Sequence, residues 1–419
     1  MKIDVPYGKD GALSAVLSDS VKVRFLEAND VKIGDEDQNI REAVLHPINS
    51  KGFQDFLKGA KNVLVIVNDA TRPTPTKKIL EFIFEDLART PFHFIIATGA
   101  HRGPTEEEFF QIFGPFYEKV RDRIIVHDAR ADQDMVFLGT STNGTPMYVH
   151  RAGVEADRII ILSSVEPHYF AGYTGGRKSF LPGIAGYKTI EQNHKLALSP
   201  AAKALALEGN PVHADMMDAI KTVKQDIFSI MTVLDKHHRV YATCCGHIHD
   251  SFHVAIERAN EVFAAPLKEK ADIVVSVVKF PQDIDLYQAQ KGIDNAKLAL
   301  KKGGILILTA KCRHGIGGKA FADLLGSSET PGAALETIEK GYVLGYHKAA
   351  KMAEIGLWAE MWGVTDVAPE IISKLFIRPF GSLQEALDAA LEKKGKDATV
   401  LFLMDGGLTV PLVRAEESI

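Results

Sequence analysis

Short apolar runs alternate with amphipathic stretches along this chain. Residues 62–67, 92–97, 123–127 and 158–163 are runs of branched and aromatic residues with the length of buried strands. Residues 77–87, between the first two, have the apolar spacing of a helix, and Thr105 through Glu108 form a capping-box pattern that opens another. Residues 226–234 and 240–245 predict further strands, and 250–262 a helix. After Ala265-Pro266 and the charged run at 268–270, a second series begins. It has strands at 273–278 and 304–308, a helix over 287–301 between them, a capping box at 382–385 opening a helix to about 391, and a strand at 400–404. Alternating β-α order predicts an α/β protein of two domains, each with a mostly parallel sheet flanked by helices. The expected domains are 1–268 and 269–419, the second closing over a site between them, with the last residues free to pack back on the first domain.

Length agrees with two domains, since 419 residues exceed one ordinary core. A formal charge of -5 argues against nucleic acid as the main partner. No signal-peptide pattern opens the chain and no apolar run is long enough to span a membrane, so a cytoplasmic location is expected. Cys244, Cys245 and Cys312 form no CxxC and suit buried thiols in a reducing compartment.

Three polar clusters follow predicted strands. In NDATRPTP (68–75), a strand-to-helix turn offers backbone N–H groups, and Arg72 adds a fork for phosphate or carboxylate, with Asp69, Thr71 and Thr74 to orient it. Helix capping by Asp69 or Thr71 is the plainer alternative. In TGAHRGPT (98–105), His101 sits among small residues and could carry a proton near neutral pH, or simply be exposed. The third, EPHYFAGYTGGRKSFLPGIAG (166–186), has five glycines, implying a backbone that wraps closely around something, with Arg177 and Lys178 inside the wrap. Arg177 breaks the P-loop pattern, and no GxGxxG is present, so neither usual nucleotide motif applies. Lys178 could serve as nucleophile or covalent anchor. His194 suits a borderline transition metal, yet no second ligand stands at a usual spacing beside it. His247, His249 and Asp250 read as loop residues.

These motifs, with the Asn193-His194 pair and LYQAQKG (286–292), resemble the lactate racemase family of nickel-pincer enzymes, in family order across about half the chain. The resemblance implies an isomerase that inverts the 2-carbon of a small 2-hydroxyacid. Its cofactor would be a nickel-pincer nucleotide, pyridinium-3-thioamide-5-thiocarboxylic acid mononucleotide nickel, made by separate cofactor-synthesis enzymes. Lys178 matches the lysine that carries it and His194 the histidine that ligates nickel. Asp69, Thr71, Arg72, Gly172, Gly175 and Gly176 would hold the nucleotide. His101 and His168 match the acid/base pair. Arg72, Tyr287, Gln288 and Lys291 match the substrate-binding set, and Gln288 and Lys291 share a helix face. Trp358 or Trp362 matches a family tryptophan, with Trp358 preferred. Epimerisation of a sugar acid, or racemisation of malate or an aryl lactate, keeps the same chemistry. A non-catalytic phosphate or nucleotide binder would have no use for three histidines, and a nicotinamide dehydrogenase would want the missing GxGxxG. Oligomeric state is not readable from the chain.

Overall fold

The computed structural model describes residues 1–413. One compact unit is Asp30–Val262; the other joins Met1–Asn29 to the chain from Phe263 onward. The expected division at 268/269 therefore moves to 262/263, and the first 29 residues change sides. The reason is strand pairing: Lys22–Leu26 adds in parallel to Thr399–Leu403 at the edge of the second unit's sheet. Residues 414–419, the tail expected to pack back on the first domain, lie outside the described residues. Before them, Val410–Val413 pairs with Ala264–Leu267 of its own unit.

The Asp30–Val262 unit has a six-stranded sheet in the order Val240–His247, Asp226–Leu234, Arg158–Ser164, Val63–Asn68, Phe92–Ala97, Ile124–Val126. All neighbours are parallel except the outermost Val240–His247. The central strands bury both faces, which is why they read as unbroken apolar runs rather than alternating ones. Helix Thr76–Leu87 turns Ile79, Leu80, Ile83 and Leu87 into one of the two cores on this sheet. The second sheet runs Ile377–Pro379, Glu360–Val364, Leu300–Thr309, Ala271–Val277, Thr399–Leu403, Lys22–Leu26, and is parallel throughout. Among the described residues no helix is long and apolar enough to cross a membrane. The three cysteines are buried, and burial pushes the Cys244 thiol up to about 12.

Strand order in the first unit fixes where a site belongs. From Val63–Asn68 the chain builds two strands to one side, then returns to add Arg158–Ser164 on the other. The carboxyl ends of these two neighbours flank a topological switch point, where open parallel sheets bind ligands. Turn 69–75 and loop 165–186 leave from there, and turn 98–105 leaves the adjoining strand.

Candidate active site

Turn 69–75 is organised by Asp69. One carboxylate oxygen accepts from the Thr71 backbone N–H and hydroxyl, and the other lies 2.8 Å from His101 Nδ1. Helix Thr76–Leu87 starts at Pro75 without a side-chain cap, so neither Asp69 nor Thr71 serves as one. Asp69 is buried, and burial alone would raise its carboxyl; His101, Thr71 and Arg72 outweigh that and hold it below the usual range. An ionised Asp69 keeps the proton on His101 Nδ1 and leaves Nε2 as the lone-pair nitrogen. Gly99, with φ of 58°, and a bond from His101 N to Thr98 O turn the chain so that this half-exposed ring reaches Asp69.

Arg72 donates through Nη1 to Glu166, 3.2 Å away, bridging the two loops at the switch point. Glu166 is 4% exposed, so this ion pair is largely desolvated and its geometry well held. Arg72 thereby reaches the loop that carries the glycine-rich motif, and its pairing with Glu166 leaves no local signal in the sequence, because it spans 94 residues.

Every residue from 161 to 181 is buried except Lys178. The Phe170 ring is the meeting point of this region. Its centroid lies 4.6 Å from the His168 ring, 5.1 Å from the His194 ring and 5.7 Å from Lys178 Nζ. His168 sits in a two-residue strand paired with Gly172–Tyr173, and its Nδ1 accepts from the Ala171 N–H. Neutral His168 therefore carries its proton on Nε2, the opposite tautomer to His101. His194 comes from the last turn of helix Tyr187–Lys195.

The loop's glycines are required by the chain itself. A Cβ on Gly172, where φ is 78°, would collide with the Ala206 carbonyl oxygen, and one on Gly175, at φ of 84°, with Val165. On Gly176 it would meet Met231 and Phe252 at ordinary contact distance, so only φ of 49° restricts that position. Arg177, expected inside the wrap, is buried within the loop, with His213 and Phe252 against it. His127, also unforeseen, ties the site together: its carbonyl accepts from Thr98 and its Nε2 donates to the Ala185 carbonyl.

In the other unit, Tyr287, Gln288 and Lys291 lie half-buried on helix Leu286–Ala296, which Asp285 caps by accepting from Gln288 N. The two expected tryptophan positions separate. Trp362 is core, 1% exposed in strand Glu360–Val364. Trp358 precedes that strand, whereas Tyr287 follows strand Ala271–Val277, so one lies toward the amino ends and the other toward the carboxyl ends of the strands of the same parallel sheet. That separation counts against Trp358 joining Tyr287 and Lys291. His247 ends a strand and His249 and Asp250 begin helix Ile248–Phe263, so these three are not loop residues.

Two family models match the chain: a lactate racemase N-terminal domain over residues 7–205 and a lactate racemase C-terminal domain over 267–410. The lactate racemase of Thermoanaerobacterium thermosaccharolyticum is 30% identical over 417 residues, 96% of this chain and 97% of that protein. That of Lactiplantibacillus plantarum is 30% identical over 419 residues, 96% and 98% of the two chains. The solved lactate racemase apoprotein from T. thermosaccharolyticum superposes with a TM-score of 0.91, covering 98% of this chain and 100% of that one. A Thermotoga maritima protein, 17% identical with a TM-score of 0.70, shares the fold. Sequence, both domain matches and architecture agree that this isomerase belongs to the lactate racemase family.

Proposed function

We propose that this enzyme racemises lactate with a nickel-pincer nucleotide joined covalently to Lys178 and completed at its metal by His194. The observation that carries this reading is the convergence of His168, Lys178 and His194 on the Phe170 ring at the sheet's switch point. The donor set fits such a group. Among the described residues no cluster of three or more His, Cys, Asp or Glu is arranged to hold a metal. One amine and one imidazole suit a cofactor that brings its other metal ligands with it. When bound, that group supplies a reversible acceptor for the substrate's C2 hydride, so that the 2-carbon passes through a planar 2-oxoacid.

The chain's own residues handle the proton and the carboxylate. Asp69 fixes His101 so that Nε2 takes the hydroxyl proton, the role of a base matched to neutral pH. His168, protonated on Nε2, can offer that N–H to the substrate oxygen as a hydrogen bond; to take a proton there it must first carry its own proton on Nδ1, which means releasing the Ala171 N–H. Arg72, oriented by Glu166, offers the rest of its fork to a carboxylate or phosphate. Tyr287, Gln288 and Lys291 are the second group of substrate residues. Thr71, Gly172, Gly175 and Gly176 shape the loops around Lys178 rather than needing direct contact with the nucleotide.

The test is inversion of enantiopure lactate by cofactor-loaded protein, followed by chiral chromatography. Inversion without net oxidation supports the reading. Protein with confirmed nickel and adduct mass that inverts malate, an aryl lactate or a sugar acid but not lactate would move the substrate; inversion of none would reject the reaction.

A further inference from the structure

A guanidinium with no exposed surface normally sits against a carboxylate, because an uncompensated buried charge is costly. Arg177 is 1% exposed, and among the described residues no charged partner offsets its burial, which pulls its guanidinium down to about 9. Its five N–H groups instead all find neutral acceptors. Nη2 donates to the Ala171 and Tyr173 carbonyls at 2.8 and 3.1 Å. Nη1 donates more weakly to those of Thr174 and Gly175, at 3.5 and 3.4 Å. Nε donates to His213 Nδ1 at 2.8 Å, and the plane lies 4.3 Å over the Phe252 ring.

This arrangement reaches Lys178 directly. The left-handed backbone at Gly172, Gly175 and Gly176 curls successive carbonyls toward one centre, and the guanidinium occupies it. The Gly175 carbonyl that receives Arg177 also receives the Lys178 backbone N–H, at 3.1 Å, in the short helical turn Gly176–Ser179. Lys178 is then the one side chain of 161–181 to leave the buried core. A lysine at 177 could not replace the fork, since an ammonium offers three donors from a single point. His213 must stay neutral to accept from Nε, and its surroundings keep it so: burial first, then Arg177, push it down to about 3.

We infer that Arg177 is a positioning residue, whose fork sets the carbonyls of 171–175 and so fixes the direction in which Lys178 leaves the loop. The inference rests on Lys178 being the attachment point proposed above. Its test reads the lysine without the cofactor. Reductive methylation of the full-length protein with 13C-formaldehyde gives each lysine amine an NMR resonance, and Lys178→Ala identifies that of Lys178. The Phe170 ring beside the amine moves this resonance away from those of exposed lysines such as Lys203. In Arg177→Lys it is expected to collapse into the exposed group. His213→Leu, which removes the Nε acceptor, should show an intermediate shift, and His213→Gln, which restores one, a near-native shift. A folded Arg177→Lys with an unmoved Lys178 resonance overturns the inference. Should that variant fail to fold, identical spectra from His213→Leu and His213→Gln would overturn it equally. Whether Lys178 carries the cofactor is read separately, from the intact mass of loaded protein, so one reading can fail while the other stands.

Discussion

Loop 165–186 and segment 279–292 occupy equivalent places in two different sheets, and they solve different problems. Each leaves the carboxyl end of an interior parallel strand. The first buries its backbone almost completely and spends its polar side chains on its own carbonyls: Thr174 and Arg177 hold the loop from within. The second becomes a helix within a few residues, capped by Asp285, and presents Tyr287, Gln288 and Lys291 half-exposed from its first turns. Lys348 braces that start, donating to the Tyr287 carbonyl at 2.5 Å and lying 4.3 Å over its ring. Burial raises the Asp285 carboxyl, and Lys348 and Lys291 only partly oppose it. A covalent anchor needs one fixed backbone path. A partner for a small carboxylate needs only a cation on a stable helix face, where neighbours can shift without losing the contact.

The sharpest way to break this contrast is Lys178→Ala. If the loop exists to present that amine, the variant loses the covalent adduct and all racemisation while the fold survives. Intact-mass measurement showing the adduct retained would remove the anchor assignment. Next in size is the pair His101→Asn and His168→Asn. General acid–base groups contribute about 10²–10⁴-fold, and the opposite tautomers predict unequal losses. His101, whose lone pair is exposed to substrate by Asp69, should show the larger fall in kcat, and Asp69→Asn should follow it in direction. Equal losses of kcat in the two variants would mean that the tautomers seen here interchange freely during turnover. Smaller still is Lys291→Met. A charge-assisted hydrogen bond contributes about 1.5–3 kcal/mol, so KM should rise at least about tenfold, with kcat less affected. A collapse of kcat at unchanged KM would put Lys291 in the chemistry and dissolve the distinction between the two segments.

How much of this was legible beforehand depends on range. Strands at 92–97 and 226–234 and the Thr105 capping box were readable because each is set by neighbours within a few residues. The strand at 22–26 was missed: KVRFL is short and mixed, and only its pairing with 399–403 makes it a strand. Lys178, His168 and His194 were singled out by motif resemblance alone, and all three lie around the Phe170 ring. The functions of Glu166, His213 and His127 were not legible, because each acts through a partner 36 to 94 residues away. For Arg177 the motif predicts a cation inside the loop, and only packing reveals that it faces the loop's own carbonyls.

The last expected effect concerns how the first unit's loops are held together in acid. His127 is 2% exposed and donates from Nε2 to the Ala185 carbonyl at 3.0 Å, while its Nδ1 is buried without a hydrogen-bond partner. Burial pushes this imidazole from 6.5 down to about 4, against a smaller opposing contribution from the Ala185 bond. An unfolded or locally opened chain would take up a proton near 6.5, before the closed form does. The closed form's advantage is therefore complete above about 6.5 and declines as pH falls toward 4. At pH 5, about 1.5 pH units into that window, the loss is about 2 kcal/mol at 1.36 kcal/mol per unit. Amide exchange should report it locally. Peptides covering 94–101 and 180–186 should lose about 30-fold protection between pH 7 and pH 5 after correction for intrinsic rates, while strand 300–309 of the other unit does not. His127→Gln keeps a donor for Ala185 but cannot titrate, so it should abolish the difference. If the variant loses protection in acid as the parent does, the weak point lies elsewhere, and the two units are no longer distinguished by this histidine.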